Sequence, residues 1–177
     1  MKIHLLGPSC SGTSTLGKLI AEEYKIPWYD SDDIFWIKTD PPFTHKRDIN
    51  ERIKLLESIF ESNNSLVLSG SALKWGNSIK KLLDIVIYKY VDQNIRIERL
   101  LAREKQRYGN RINPGNDMYQ IHKEFVEWAK KYETGGMDMR SRKSELEWIK
   151  DLDCKIIMLE ENKTPEEELK IVLEAIK

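Results

Sequence analysis

The sequence predicts an α/β fold in which about five parallel strands form a sheet that helices cover on both faces. Short apolar runs alternate along the chain with segments in which apolar residues recur at helical spacing, as expected for such a three-layer α/β/α arrangement. The chain has 177 residues, 40% of them hydrophobic, which is enough for one domain with a substantial core. No linker, internal repeat or low-complexity run divides it, so a single domain over residues 1–177 is expected.

The first half of the chain supplies three of the predicted strands. Lys2–Leu6 is an apolar strand that runs into a loop rich in Gly, Ser and Thr, and a helix follows over Thr13–Tyr24. Ile26–Tyr29 is a short strand that ends in an acidic cluster. Asp48–Glu61 carries its apolar residues on one helical face, and Ser65–Leu68 is a strand that ends in Ser-Gly-Ser.

The second half continues the alternation of strands and helices. Ile85–Val91 is apolar and long enough to be a central strand. Asp92 can cap a helix over Gln93–Arg107, and Thr164-Pro165 begins the last helix with a capping arrangement. The remaining predictions are helices over Asn77–Leu83, Asp117–Thr134 and Ser141–Lys150 and a strand over Cys154–Leu159.

The composition excludes several classes of protein. Lys and Arg number 29, as do Asp and Glu, and this balance argues against a protein that coats nucleic acid or an anionic membrane. No apolar stretch approaches the ~18 residues of a transmembrane helix, and the N-terminus lacks the apolar stretch of a signal peptide, so a cytoplasmic protein is expected. Cys10 and Cys154 lie far apart and form neither a zinc motif nor, in that compartment, an expected disulfide.

The loop after the first strand carries the most specific motif. Gly7–Thr15 reads GPSCSGTST and matches the phosphate-binding pattern GxxxxGK[ST] in both glycines, the spacing and the hydroxyl of Ser14. Thr13 occupies the place of the lysine. Backbone N–H groups and a helix N-terminus can still hold a phosphate, although a fixed positive charge is missing. The alternative is a Ser/Gly-rich turn that only caps a helix. The predicted phosphate-binding residues are Gly7, Ser9, Cys10, Ser11, Gly12, Thr13, Ser14 and Thr15.

Acidic residues follow the second predicted strand. Asp30, Asp32 and Asp33 would repel one another unless a cation or a hydrogen-bond donor stabilises them. The carboxyl ends of parallel strands are where α/β proteins bind ligands, and Mg²⁺ takes one or two carboxylates. We therefore predict that Asp30 and Asp32 bind a metal ion or a substrate hydroxyl or amine. The alternative is an acidic loop that caps a helix.

These motifs resemble those of the small P-loop kinases, which include adenylate kinase and other nucleoside-monophosphate kinases, shikimate kinase and gluconate kinase. The lysine-less loop is similar to that of a group of bacterial adenylate kinase-related proteins. Further segments extend the resemblance over most of the chain, namely Asp32–Trp36, Thr39–Asp48, Leu68–Gly76 and Arg103–Ile112. The chain departs from the family pattern at Thr13 and in having no Asp at the end of the third strand.

The resemblance implies the P-loop nucleoside-triphosphate hydrolase fold and an ATP- and Mg²⁺-dependent kinase. It implies a substrate-binding insert over about 33–62 and an arginine-bearing lid over about 103–140. Ser14 and Asp30 would hold Mg²⁺. The implied substrate residues are Asp30, Asp32, Lys46 and Arg47, and the implied catalytic residues are Asp32, Arg103 and Arg107. An ordinary amphipathic helix would also expose those two arginines.

The sequence is compatible with two classes of acceptor for the phosphoryl group. An aromatic-rich insert favours a nucleobase and places a nucleoside monophosphate slightly ahead, whereas the Asp30/Asp32 pair favours a hydroxyl acceptor of the shikimate or gluconate type. A nucleotide-binding regulator that lost turnover together with the lysine is the non-enzymatic alternative. The expected partners are ATP and a small-molecule acceptor, and neither nucleic acid nor a membrane is expected to bind. The sequence does not distinguish a monomer from a homodimer.

Overall fold

The computed structural model describes all 177 residues and contains one five-stranded sheet in which each strand runs parallel to its neighbours. The strands are β1 (Lys2–Leu6), β2 (Trp28–Asp30), β3 (Leu66–Ser69), β4 (Ile85–Lys89) and β5 (Lys155–Leu159). Their order in the sheet is β2-β3-β1-β4-β5. The prediction of an α/β fold with about five parallel strands is confirmed.

Seven α-helices connect and cover these strands. They are α1 (Thr13–Tyr24), α2 (Ser31–Phe35), α3 (Ile49–Ser62), α4 (Gln93–Tyr108), α5 (Tyr119–Lys130), α6 (Arg142–Lys150) and α7 (Pro165–Ile176). Two short 3-10 turns occur at Lys80–Leu82 and Gly109–Ile112.

One prediction of secondary structure was wrong and one helix was missed. The helix expected over Asn77–Leu83 is only the 3-10 turn at Lys80–Leu82. Ile79 and Leu83, four positions apart, are buried on either side of this turn, so their spacing reflects two separate anchors and not one helical face. Helix α2 was not predicted, since five residues show no periodicity. Asp30 begins it by accepting a hydrogen bond from the backbone N–H of Asp32 at 3.0 Å.

The core forms on both faces of the sheet. On one face α1 and α7 bury Leu16, Ile20 and Val172 against the strands. On the other face α3 and α6 bury Phe60 and Trp148. Burial on both faces explains why β3 and β4 are almost continuously apolar.

The topology brings the motifs together at one edge of the sheet. Strand β1 lies third in the order, with β3 on one side and β4 on the other. The chain passes from β1 to β2 on one side of it, and the later connection from β3 to β4 leads to the other side. Ligands of open α/β sheets bind at such a reversal, outside the carboxyl ends of the strands. The loop after β1 and the acidic segment after β2 both lie at this edge. The segment 33–62 contains most of α2 and all of α3, and the segment 103–140 contains the end of α4 and all of α5.

No helix is both long enough and apolar enough to cross a lipid bilayer.

Candidate active site

The loop between β1 and α1 presents backbone amides at the start of a helix. Gly7 approaches β4 so closely that a Cβ on it would lie 2.0 Å from the carbonyl oxygen of Lys89, so no other residue fits. Gly12 has φ 94° and occupies the N-cap position of α1, where no side chain caps the helix and the first turn carries no acidic residue. The free N–H groups and the helix dipole therefore suit an anion such as phosphate.

Two arginines hold this loop from outside the motif. Arg96 of α4 is completely buried, and its Nη1 lies 3.5 Å from the carbonyl oxygen of Ser9. Its Nε donates to the carbonyl of Val91 at 2.9 Å, and it forms an ion pair with Glu133. Arg140 donates to the carbonyl of Gly7. The loop is thus fixed by contacts that no local motif encodes.

A buried hydrogen-bond network positions Arg140. Its Nε donates to Glu145 at 2.9 Å, and Glu145 is fully buried at the start of α6. The same carboxylate accepts a hydrogen bond from the hydroxyl of Tyr132 at 2.6 Å. The hydroxyl oxygen of Tyr132 also lies 2.9 Å from the hydroxyl oxygen of Tyr88 on β4. Burial raises the pKa of Tyr88 to about 12, so the phenol stays protonated. The network connects the sheet to α6 and keeps the guanidinium at the mouth of the loop.

Ser14 and Asp30 form the candidate magnesium site. The Ser14 hydroxyl donates to Asp30 Oδ2 at 2.6 Å, which joins the first turn of α1 to the end of β2. No group of three or more His, Cys, Asp and Glu side chains is arranged to hold a metal ion. Mg²⁺ fits nevertheless, because it prefers oxygen ligands and uses one or two protein groups together with waters and substrate phosphates.

Asp32 lines the cleft, and its side chain is exposed to solvent there. Desolvation raises the pKa of its carboxyl group above the usual range, and the neighbouring charge of Asp30 raises it further. Three positive groups, Arg140, Arg103 and Arg107, act in the opposite direction. A carboxylate with a raised pKa beside several cations is suited to accept a proton in a site that binds anions.

The cleft around these groups has a volume of about 1020 Å³. Eight Lys and Arg side chains line it against five Asp and Glu side chains, so it favours a polyanionic ligand. The basic residues are Lys46, Lys74, Lys89, Arg99, Arg103, Arg107, Arg140 and Lys163.

The end of α4 contacts the loop that precedes α3 across the cleft. The Tyr108 hydroxyl donates to the carbonyl of Pro42 at 3.0 Å, and the Arg107 guanidinium lies 4.4 Å from the centre of the Phe43 ring. Arg107 also pairs with Glu104 at 3.4 Å. The two segments that the family resemblance assigns to the insert and the lid therefore touch in this structure.

The aromatic side chains at the cleft are largely engaged with one another. Phe35 stacks on Trp75 with 6.2 Å between ring centres, and the Arg52 guanidinium lies 4.0 Å from the centre of the Phe35 ring. Trp36 packs edge-on against Phe35 and against Phe43. Few ring faces are left for a nucleobase.

The structure places the predicted residues as follows. All the predicted phosphate-binding residues except Gly7 line the cleft, as do Asp30, Asp32, Lys46, Arg103 and Arg107. Arg47 does not line it, because its Nε donates to the carbonyl of Ile34 at 3.0 Å. Cys10 lines the cleft, but burial raises the pKa of its thiol and keeps it protonated.

Sequence reasoning did not identify Lys89 and Glu168, which form a buried ion pair in the cleft wall. A signal was present in the sequence, because Lys89 interrupts the otherwise apolar run Ile85–Val91. A charged residue at a position buried on both faces needs a partner, and here that partner comes from the last helix.

Comparison with known proteins finds a relative that matches almost the whole chain. The chain is 40% identical over 172 residues to the uncharacterized protein YqaC of Bacillus subtilis (strain 168), which covers 97% of this chain and 95% of the relative. No protein-family model matches it.

Solved structures with the same fold are P-loop kinases. They include shikimate kinase from Bacteroides thetaiotaomicron, with a TM-score of 0.62, 16% identity and coverage of 99% of this chain and 98% of that one. Shikimate kinase from Acinetobacter baumannii in complex with shikimate has a TM-score of 0.59, 15% identity and coverage of 99% and 92%. A gluconokinase from Sinorhizobium meliloti has a TM-score of 0.58, 14% identity and coverage of 99% and 90%. At these identities the likeness shows the fold alone.

Proposed function

Since the chain belongs to the family of Bacillus subtilis YqaC and has the fold of the small P-loop kinases, we propose that it is an ATP-dependent kinase. It transfers the γ-phosphoryl group of ATP to a hydroxyl group of a small, anionic acceptor. The observation that carries the proposal is the meeting of the phosphate loop, the Ser14–Asp30 pair and Asp32 with three arginines in one cleft.

The residues have separate roles in this reaction. The loop amides and the N-terminus of α1 bind the phosphates of ATP. Ser14 and Asp30 would hold Mg²⁺, which neutralises phosphate charge when it is bound. Arg103 and Arg107 would stabilise the charge on the transferred group, because guanidinium groups bind phosphate oxygens bidentately. Lys46 and Arg140 are the cations available for the acceptor.

Asp32 supports a hydroxyl acceptor. The acceptor oxygen must lose its proton as its bond to the γ-phosphorus forms and the bond from that phosphorus to the bridging oxygen of ADP breaks. The Asp32 carboxylate takes this proton. A nucleoside monophosphate attacks through a phosphate oxygen that is already ionised, so it needs no such base. This difference leads us to place a hydroxyl acceptor ahead of the nucleoside monophosphate that the sequence favoured.

A nucleoside monophosphate remains the second candidate. The excess of basic side chains in the cleft suits a second phosphate group, and Trp36 and Phe43 lie at its wall. Against it stands the mutual packing of the aromatic rings, which covers the faces on which a base would stack.

An acceptor panel tests the proposal. Purified protein is incubated with ATP and Mg²⁺ together with sugar acids, polyols, cyclic hydroxy acids, nucleosides or nucleoside monophosphates. ADP formation is followed, and the product is identified by ³¹P NMR. We expect ADP release that depends on a hydroxy acid. Release only with a nucleoside monophosphate would select the second candidate, and ATP binding without turnover on any acceptor would identify a regulator.

The role of Asp32 is tested by Asp32→Asn, with Asp33→Asn as the matched control because Asp33 does not line the cleft. Loss of a general base is expected to lower kcat by about 10²–10⁴-fold. In the wild-type enzyme kcat should fall as the pH drops through the raised pKa of Asp32, since the protonated carboxyl cannot accept a proton. An Asp32→Asn enzyme with the kcat of Asp33→Asn would contradict the assignment.

A further inference from the structure

The phosphate loop lacks its lysine, yet a lysine from another strand lies beside it. Lys89 is the last residue of β4, and its side chain runs past Gly12. A Cβ on Gly12 would lie 3.1 Å from Cε and 3.9 Å from Nζ of Lys89. Gly12 is the residue from which α1 begins, so the ammonium group lies next to the amides that would receive the phosphates.

The ammonium group is held by one partner in this structure. Lys89 forms an ion pair with Glu168, in the first turns of α7, and the two side chains are only 5% and 2% exposed. A buried ion pair adds little stability, because both ions lose their hydration. Both residues nevertheless line the cleft. An ammonium group has three donors, so the pair leaves Lys89 able to bind a further acceptor.

The other cations near the loop have other contacts or another proposed role. Arg96 pairs with Glu133. Arg140, which the proposed function assigns to the acceptor, bonds to Glu145 and to the carbonyl of Gly7. Lys18 follows the motif on α1, but its Nζ lies 4.5 Å from the centre of the Trp28 ring. Arg103 and Arg107 lie on α4, in the segment that the family resemblance assigns to the lid.

We propose that Lys89 binds phosphate oxygens of the nucleoside triphosphate in place of the missing loop lysine, and that Glu168 holds its side chain when the site is empty. This inference rests on the proposed function, because it assumes that ATP occupies the loop. The positive charge next to Gly12 would then come from a strand of the sheet. It would be in place whether or not the arginine-bearing segment closes over the site.

The test measures ATP binding by isothermal titration calorimetry in the presence of Mg²⁺, without any acceptor. The double variant Lys89→Met/Glu168→Gln removes the cation and leaves no buried unpaired charge. It should keep the thermal stability of the wild type but bind ATP about 10–100-fold more weakly, as expected for loss of a charge-assisted contact. Lys18→Met is the matched control, because it also removes one cation near the loop, from α1. It should bind ATP as tightly as the wild type.

Two further variants separate a ligand role from a structural one. Glu168→Gln alone should bind ATP at least as tightly as the wild type, because the competing carboxylate charge is gone. Adding Thr13→Lys to the double variant should restore most of the affinity, since the cation returns to the loop itself. If the ion pair were purely structural, the single variants Glu168→Gln and Lys89→Met would instead weaken ATP binding equally.

The outcomes distinguish this inference from the proposed function. Wild-type protein that does not bind ATP would overturn both. Wild-type protein that binds ATP, with a stable double variant that binds equally well, would overturn only the role of Lys89.

Discussion

His4 lies in the middle of β1 and is 1% exposed. Its Nε2 donates to the carbonyl of Gly70 at 2.8 Å. Burial lowers the pKa of the imidazole from 6.5 to about 4, since the interior disfavours the charged form. The residue therefore connects the stability of the central strand to pH.

The free energy of unfolding should fall by about 3 kcal/mol between pH 6.5 and pH 4 through His4 alone. In this window the unfolded chain binds a proton at His4 and the folded chain does not, so acid favours unfolding. Urea denaturation across the range measures the slope. His4→Gln should lower stability at pH 7 but flatten this part of the profile, whereas His45→Gln, at an exposed position, should leave it unchanged. An unaltered slope in His4→Gln would contradict the assignment.

At the scale of one element, the N-terminal cap of helix α6 helps to position the site residue Arg140. Ser141 is fully buried, accepts from the N–H of Ser144 at 3.1 Å and donates to the carbonyl of Gly136 at 2.7 Å. The Ser144 hydroxyl in turn accepts from the N–H of Ser141 at 2.9 Å. This capping box fixes the first turn of α6, from which Glu145 holds Arg140.

Ser141→Ala should therefore cost about 2 kcal/mol of stability, at the upper end for a cap because the partly buried carbonyl of Gly136 also loses its donor. It should also lower kcat or weaken acceptor binding, since Arg140 loses its orientation. Asp48→Ala removes the cap of α3, a helix that contributes no residue to the cleft, and should cost about 1 kcal/mol without changing the kinetics. Thermal denaturation and steady-state kinetics on both variants check this. Equal kinetics in the two variants would show that α6 does not position Arg140.

At the scale of the whole molecule, two segments outside the sheet contact each other across the cleft, namely the end of α4 and the loop that precedes α3. The bridge consists of the Tyr108–Pro42 hydrogen bond and the packing of Arg107 on Phe43. Segments of this kind open and close around ligands in many enzymes, and the free energy of the bridge sets how often they open. The assignment of 33–62 as insert and 103–140 as lid remains a prediction.

Tyr108→Phe removes only the bridging hydrogen bond, whose net contribution is about 0.5–1.5 kcal/mol. Limited trypsin digestion of the ligand-free protein should then cleave between residues 103 and 118 about 2–10-fold faster, because cleavage follows the population of the open form. Tyr119→Phe is the control, since its hydroxyl makes no hydrogen bond in this structure. Cleavage of Tyr108→Phe at the wild-type rate would show that the bridge does not limit opening.

The local sequence determined most of the elements of this fold. The alternation of strands and helices, the phosphate loop and the acidic residues after β2 depend on residues within a few positions of one another. Capping residues such as Asp92 and Thr164 could be read for the same reason. Where a segment was too short for periodicity, as at Asn77–Leu83 and in α2, the sequence carried no reliable signal.

The tertiary structure alone decided which side chains meet. The sheet order β2-β3-β1-β4-β5 places Asp30 against Ser14 and turns Lys89 toward Gly12, and neither contact leaves a pattern along the chain. It also directs Arg47 to the carbonyl of Ile34 and away from the cleft, although the family resemblance implied a substrate-binding role for Arg47. Local patterns arise from backbone geometry over one or two turns, whereas the charges of a site are paired across strands and helices that lie far apart in the chain.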